Sequence, residues 1–178
     1  MLIIGGCRSG KSSRALAIGE KFIGPRNFFV ATCQPHDDEM AERIKRHQKE
    51  RAKHWLTIES PLEPDAVIAD RGSGANIILI DCLTLWVSNL MMAYENDTQI
   101  LKAFDRLYQA LTAPPCPIIL VTNEVGLGIV PENATARRFR DLTGWCNQKM
   151  ASVCREVIWM VAGIAVPIQH LNRSLYVD

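Results

Sequence analysis

The chain has 178 residues, 48% of them hydrophobic, with 20 lysines and arginines against 19 aspartates and glutamates. A single domain over residues 1–178 is the expectation, because a chain of this length buries roughly 70% of its unfolded surface without staples. Balanced charge with no block of like sign excludes the basic or acidic footprint of a nucleic-acid or anionic-lipid partner, and no apolar run approaches the ~20 residues of an integral membrane segment. A small charged substrate fits this chain better than a polymer.

Cys7, Cys33, Cys82, Cys116, Cys146 and Cys154 show no C-x-x-C pairing, and several sit in apolar runs. They read as reduced thiols packed as small hydrophobes. With Met1 directly ahead of the first expected strand, no leader is expected and the localisation expected is cytoplasmic.

In chain order, strands are predicted over Leu2–Ile4, Asn27–Thr32, Trp55–Glu59, Asn76–Asp81, Pro117–Thr122, Glu156–Val161 and Ile164–Ile168. Helices are predicted over Lys11–Phe22, Asp37–Arg51, Leu62–Asp70, Leu83–Tyr94, Thr98–Leu111 and Ala134–Arg155. Short Ile/Val/Phe-rich runs alternating with longer amphipathic stretches give an α/β fold class, with a mostly parallel sheet covered by helices on both faces. Gly72-Ser73-Gly74 and Pro114-Pro115 are too short for linkers and mark turns. The tail after Gln169 lacks periodicity.

The first strand runs straight into Gly5-Gly6-Cys7-Arg8-Ser9-Gly10-Lys11-Ser12. Gly5, Gly10, Lys11 and Ser12 complete G-x-x-x-x-G-K-[ST], the P-loop pattern, in its proper strand-to-helix setting. The spacing serves a chemistry: glycines let backbone N–H groups curl around a phosphate chain, Lys11 reaches the β/γ-phosphates, and Ser12 offers its hydroxyl to Mg²⁺. The following helix adds its positive N-terminal dipole.

In an open α/β sheet the ligand sits at the carboxyl ends of the strands. After the second strand come Ala31-Thr32-Cys33 and then Asp37 and Asp38, which read as helix-capping acids. On that helix Met40, Ile44, His47 and Arg51 share one stripe. Taken alone, His47 reads as a solvated surface residue, but Arg51 one turn away disfavours the imidazolium and keeps the ring nucleophilic. His36, His54 and His170 carry no comparable signal. Ile77–Asp81 is four apolar residues ending in a carboxylate, a Walker B form in which Asp81 holds Mg²⁺ opposite Ser12. Glu59 ends the third strand, either toward a nucleotide hydroxyl or the metal, or as a solvated loop carboxylate. The segment Val121–Asn133, with two glycines and a proline, makes a shaped loop at the ligand edge, and Asn133 is placed to cap the next helix. Arg137, Arg138 and Arg140 on that helix either reach a substrate phosphate or face water. No N-K-x-D segment is present, which argues against a regulatory GTPase.

Five segments together resemble the bifunctional adenosylcobinamide kinase/adenosylcobinamide-phosphate guanylyltransferase family of cobalamin assembly. They are G-G-C-R-S-G-K-S at Gly5–Ser12, D-D-E-M-A-E-R-I-K-R-H at Asp37–His47, H-W-L-T-I-E-S-P at His54–Pro61, I-D-C-L-T-L-W-V-S-N-L at Ile80–Leu90, and V-T-N-E-V-G-L-G-I-V-P-E-N at Val121–Asn133. The last two are specific. The resemblance implies that His47 is the guanylylated nucleophile. It further implies that Gly5, Gly6, Cys7, Arg8, Ser9, Gly10, Lys11 and Ser12, with Ala31, Thr32, Cys33, Gln48, Lys49, Glu50 and Arg51, line the nucleotide, while Glu59 and Asp81 contact nucleotide or metal. It implies GTP, ATP and Mg²⁺ as cofactors, adenosylcobinamide and its phosphate as partners, and a homotrimer with active sites shared between subunits. Two departures stand out: Arg46 occupies a place where many relatives carry a second histidine, and Ala52 one where they carry proline. Two rival readings are a P-loop kinase of another small metabolite and a nucleotide-sensing regulatory protein.

Overall fold

The structure is a computed structural model that describes residues 1–34 and 54–170. The helix predicted over Asp37–Arg51, with His47 and Gln48–Arg51, lies outside the described residues, as do His36 and the last eight positions. The strands are β1 (Leu2–Gly5), β2 (Asn27–Ala31), β3 (Trp55–Glu59), β4 (Ile77–Asp81), β5 (Ile118–Asn123), β6 (Glu156–Val161) and β7 (Ile164–His170). The helices are α1 (Lys11–Gly19), α2 (Pro64–Arg71), α3 (Leu83–Ala93), α4 (Asp97–Thr112) and α5 (Ala134–Val153), with a 3₁₀ turn at Gly72–Gly74.

The strands form one seven-stranded sheet in the order β3-β2-β4-β5-β1-β6-β7. Every pairing is parallel except β6 with β7, which fold back on each other through Ala162 and Gly163, both at positive φ. Alternating residues of each strand serve opposite faces, and the two cores follow that parity. On one face Phe28, Val30, Ile78, Ile80 and Leu120 pack under α2, α3, α4 and α5. On the other, Ile3, Phe29, Leu79, Ile119 and Val121 pack with Ala15 of α1. Both faces of the central strands are dry, which is why they read as unbroken apolar runs.

The largest fully buried side chain is Trp86, tilted against Phe104 at 5.5 Å between ring centroids, with its indole N–H donating to the Leu62 carbonyl. A side chain of that size stabilises the fold by about 2–3 kcal/mol through burial alone, and the hydrogen bond removes the cost of enclosing its polar atom. Asn96 and Asn133 cap α4 and α5 through the N–H groups of Gln99 and Ala136.

One boundary departs from the sequence pattern. Helix α1 ends at Gly19 instead of running to Phe22, and the chain tightens through i−3 bonds from Lys21 to Ile18 and from Phe22 to Gly19. A Cβ at Gly19 would collide with the Trp55 ring, so glycine lets α1 lie against the indole, whose N–H donates to Glu20 at 2.8 Å. His54 pairs with the same carboxylate, at the start of β3 and therefore at the sheet edge opposite the P-loop.

Candidate active site at the carboxyl edge of the sheet

Residues 5–12 join β1 to α1 as the P-loop pattern requires. The two glycines that define the pattern are the two the geometry needs. A Cβ on Gly5 would drive into the Met160 carbonyl oxygen of the neighbouring strand, and Gly10 adopts φ 91°, a left-handed conformation that glycine reaches without strain. Gly6 meets nothing within 4 Å. Cys7 and Arg8 are exposed at the loop tip, while Ser9 is buried and Ser12 half-buried at the start of α1. Lys11 is only 8% exposed, and its ammonium donates to the Gly6 carbonyl at 2.6 Å and lies 3.5 Å from Ser9 Oγ. Two outside contacts brace the loop. The N–H of Gly163, in the β6–β7 turn, donates to the Ser9 carbonyl, and that of Glu124, just past β5, donates to Gly5.

Strand parity puts the other candidates on the same side as α1. Asp81 alternates with Ile77 and Leu79, and Ala31 with Phe29, all of the α1-side core; Glu59 shares the parity of Trp55. Ala31 pairs with both Asp81 and Glu59, so these three stand in a row across β3, β2 and β4. Gly5 pairs with Asn123 of β5, the strand between β1 and β4. The P-loop and Asp81 are thus brought to one edge with one strand between them. Glu59, exposed and two strands from Asp81, lies at the periphery.

Thr32 is different from its neighbours. It is fully buried, and its hydroxyl both accepts from the Cys82 N–H at 2.8 Å and donates to the Cys82 carbonyl at 2.7 Å. That occupies its polar capacity in fastening β2 to the residue after Asp81. Cys33, next along, is half-buried. Asn89 of α3 completes the fastening, donating to the carbonyls of Thr32 and Pro61 at 2.7 and 3.0 Å.

A second polar network lies under β5. The Asn123 N–H donates to Thr84 Oγ1 at 2.7 Å, Thr84 and Thr122 hydroxyls meet at 3.3 Å, and Thr122 donates to Asn147 Oδ1 at 2.7 Å. Asn147 Nδ2 then returns to the Asn123 carbonyl at 3.1 Å. Because the Thr122 proton goes to Asn147, the Thr84 hydroxyl must be the donor to Thr122. The bonds close a ring on the peptide groups of Asn123, with each polar atom satisfied inside a dry layer. Thr84 and Asn89 lie in the family segment Ile80–Leu90 without a role attached to them there, Asn147 lies in none of the five segments, and the physical signal for all three is a polar residue on an otherwise apolar helical face.

The three arginines of α5 neither reach toward the P-loop nor simply face water. Arg137 donates to the carbonyls of Pro131 and Glu132, Arg138 pairs with Asp97 at 2.7 Å, and Arg140 donates to Gly126 at 2.9 Å. Arg137 and Arg140 brace the loop between β5 and α5, whose Leu127 and Ile129 are 78% and 97% exposed, while Arg138 ties α5 to the start of α4. Burial, with Asp81 adding a smaller repulsion, pushes the Cys82 thiol up to about 12, so it is no nucleophile at neutral pH.

The whole-chain comparison agrees with this geometry. Residues 1–168 match the family described as cobinamide kinase / cobinamide phosphate guanyltransferase. The chain belongs to this family. It is 40% identical over 169 residues to the bifunctional adenosylcobalamin biosynthesis protein CobP of Pseudomonas aeruginosa, covering 94% of this chain and 96% of that one. It is 42% identical over 183 residues to the protein CobU of Salmonella typhimurium, which carries the same description, covering 95% of this chain and 99% of its relative. Among solved structures, the RadB recombinase aligns with a TM-score of 0.50 at 16% identity, over 89% of this chain and 72% of that one. An ATPase of the type III secretion system aligns with a TM-score of 0.52 at 13% identity, over 89% of this chain and 49% of that one. These two likenesses establish a P-loop NTPase-like fold. Family membership makes the chain an enzyme and removes both rival readings, the kinase of another metabolite and the sensor.

Proposed function

We propose that this chain phosphorylates adenosylcobinamide with ATP or GTP and then transfers GMP from GTP to the product, with one triphosphate cradle serving both reactions. The observation that carries the reading is the meeting of Lys11, Ser12 and Asp81 at one sheet edge in a chain that matches the family over residues 1–168.

In the first reaction the aminopropanol hydroxyl of adenosylcobinamide attacks the γ-phosphorus, the bond to the β–γ bridging oxygen breaks, and the hydroxyl proton is released. The loop N–H groups and Lys11 hold the phosphates in line and meet the charge on the transferring group, so catalysis is positioning and electrostatics. The donor chemistry of the edge fits Mg²⁺. Ser12 offers a hydroxyl and Asp81 a carboxylate, while the described residues hold no cluster of three or more His, Cys, Asp or Glu that would cage a metal alone. That is the ligand set Mg²⁺ takes when substrate phosphates and water complete its shell. When bound there, Mg²⁺ neutralises charge shared by the β- and γ-phosphates.

In the second reaction an imidazole nitrogen of His47 attacks the α-phosphorus of GTP and pyrophosphate leaves. A phosphate oxygen of adenosylcobinamide phosphate then attacks the same phosphorus and releases His47, giving adenosylcobinamide-GDP. The histidine splits one difficult transfer into two easier ones. Gln48–Arg51, Ala31 and Cys33 are assigned to the nucleotide and Glu59 to nucleotide or metal, whereas Thr32, fully buried with its hydroxyl engaged by Cys82, supports the edge from beneath. Exposed Leu127, Ile129 and Val130, on a loop tied to the P-loop through Glu124 and Gly5, offer apolar surface for a bulky corrinoid at the same edge. The homotrimer belongs to the proposal as well. Trp159, Val161, Ile164 and Val166 pair across β6 and β7 and are exposed, forming an apolar patch of the kind that marks association.

The test is incubation with α-labelled GTP followed by denaturation. The chain is expected to retain labelled GMP through an acid-labile, alkali-stable linkage that maps to the peptide over Asp37–Arg51. His47→Ala should lose the label and the guanylyl transfer while keeping most of the kinase rate. Label on Lys11, His54 or a cysteine, or label surviving in the variant, would show that the histidine route is wrong.

A further inference from the structure

Asn123 is the last residue of β5, and β5 runs between the strand that feeds the P-loop and the strand that ends in Asp81. Ile119 and Val121 point to the α1 side of the sheet, and Thr122 points away from it to Thr84 and Asn147. By alternation the Asn123 carboxamide stands on the α1 side, with the P-loop and Asp81. Its cross-strand partner is Gly5, and Asp81 pairs with Val121, two residues back. Strand spacing and rise then set the Asn123 Cα about 5 Å from that of Gly5 and about 8 Å from that of Asp81.

The backbone of Asn123 is held on both sides, its N–H by Thr84 and its C=O by Asn147. Its half-buried carboxamide has no hydrogen-bond partner among the described residues, whereas the Asn123 backbone and the side chains of Thr84, Thr122 and Asn147 beneath it are bonded to one another. A rigidly mounted amide on the side of the sheet that carries the phosphate cradle and the metal-side carboxylate is the arrangement that stabilises developing charge without reorganising. An amide also adds a donor there without adding a cation to compete with Mg²⁺ for Asp81.

We propose that Asn123 is a further catalytic residue of phosphoryl transfer, its Nδ2 donating to a γ-phosphate oxygen of the bound triphosphate, with Thr84, Thr122 and Asn147 as the positioning residues that hold it. This rests on the triphosphate-using reading above. The γ-phosphate is the group it touches, so its loss should distinguish triphosphate from diphosphate.

The experiment measures binding of ADP and of the non-hydrolysable β,γ-imido analogue of ATP to the full chain by calorimetry, for wild type, Asn123→Ala and the isosteric Asn123→Asp. Turnover with adenosylcobinamide is measured alongside. ADP affinity is expected to stay within about twofold, while the analogue weakens about tenfold with Ala and further with Asp, whose charge repels the phosphate. The kcat should fall about 100-fold, the usual cost of one such donor, with the KM for adenosylcobinamide unchanged. Equal weakening of both nucleotides would make Asn123 a support of the P-loop, and an unchanged analogue affinity would remove the contact; either overturns the proposal. A wild-type chain that binds both nucleotides but does not phosphorylate adenosylcobinamide would refute the substrate reading, and the affinity ratio would still decide the role of Asn123.

Discussion

Replacing Thr122 with valine tests the ring under β5 with almost no change of shape. The hydroxyl removed is an acceptor for Thr84 and a donor to Asn147, and the three residues are 0%, 5% and 7% exposed. The Thr84 hydroxyl proton and Asn147 Oδ1 are therefore orphaned where water does not reach them. Each such group costs about 1–3 kcal/mol, and the added methyl returns less than about 1 kcal/mol. The expected net loss is about 3 kcal/mol, a drop of roughly 6–12 °C in Tm for a chain of this size. Thr84→Val instead orphans the Asn123 N–H, and the double variant no longer carries a stranded Thr84 hydroxyl, so the two changes together should cost about 1 kcal/mol less than their sum. Urea unfolding of the single and double variants, with exposed Thr135→Val as control, reads all of these. A loss below about 0.5 kcal/mol for Thr122→Val, or strict additivity, would refute the closed ring.

Lys11→Ala should abolish both activities, since both draw on one cradle, while the loop keeps its braces at Gly163 and Glu124 and Tm moves little; an unchanged rate for either reaction would reveal a second nucleotide site. Burial raises the Cys146 thiol above its ordinary 9.0, so the unfolded chain ionises first and stability is full below about pH 9 and lost as pH rises beyond it. That thiol contributes a slope of about 1.4 kcal/mol per pH unit, and denaturant titrations of Cys146→Ala should show a shallower alkaline limb; an equal slope would mean that the thiol ionises freely in the fold.

Much of this protein is written locally. The alternation of apolar runs with amphipathic stretches is a property of neighbouring residues, and it placed all seven strands to within two residues at their ends. G-x-x-x-x-G-K-S and the apolar run ending in Asp81 are likewise short patterns, because a phosphate and its metal are bound by residues whose spacing along the chain is fixed. Local pattern also marked Asn133 as a cap. Tertiary structure decided which strand lies between β1 and β4, and therefore that Asn123, which the family segment Val121–Asn133 contains without giving it a role, stands beside both the P-loop and Asp81. It also decided what the buried polar groups do. Thr122 bonds across 38 residues to Thr84 and across 25 to Asn147, and Thr32 across 50 to Cys82. It turned Arg138 toward Asp97, and Arg137 and Arg140 onto their own loop. A hydroxyl, an amide or a guanidinium accepts many partners of equal chemistry. The backbone register that brings one of them within hydrogen-bonding distance is set only when distant segments pack, so the choice of partner has no period or spacing in the chain to announce it.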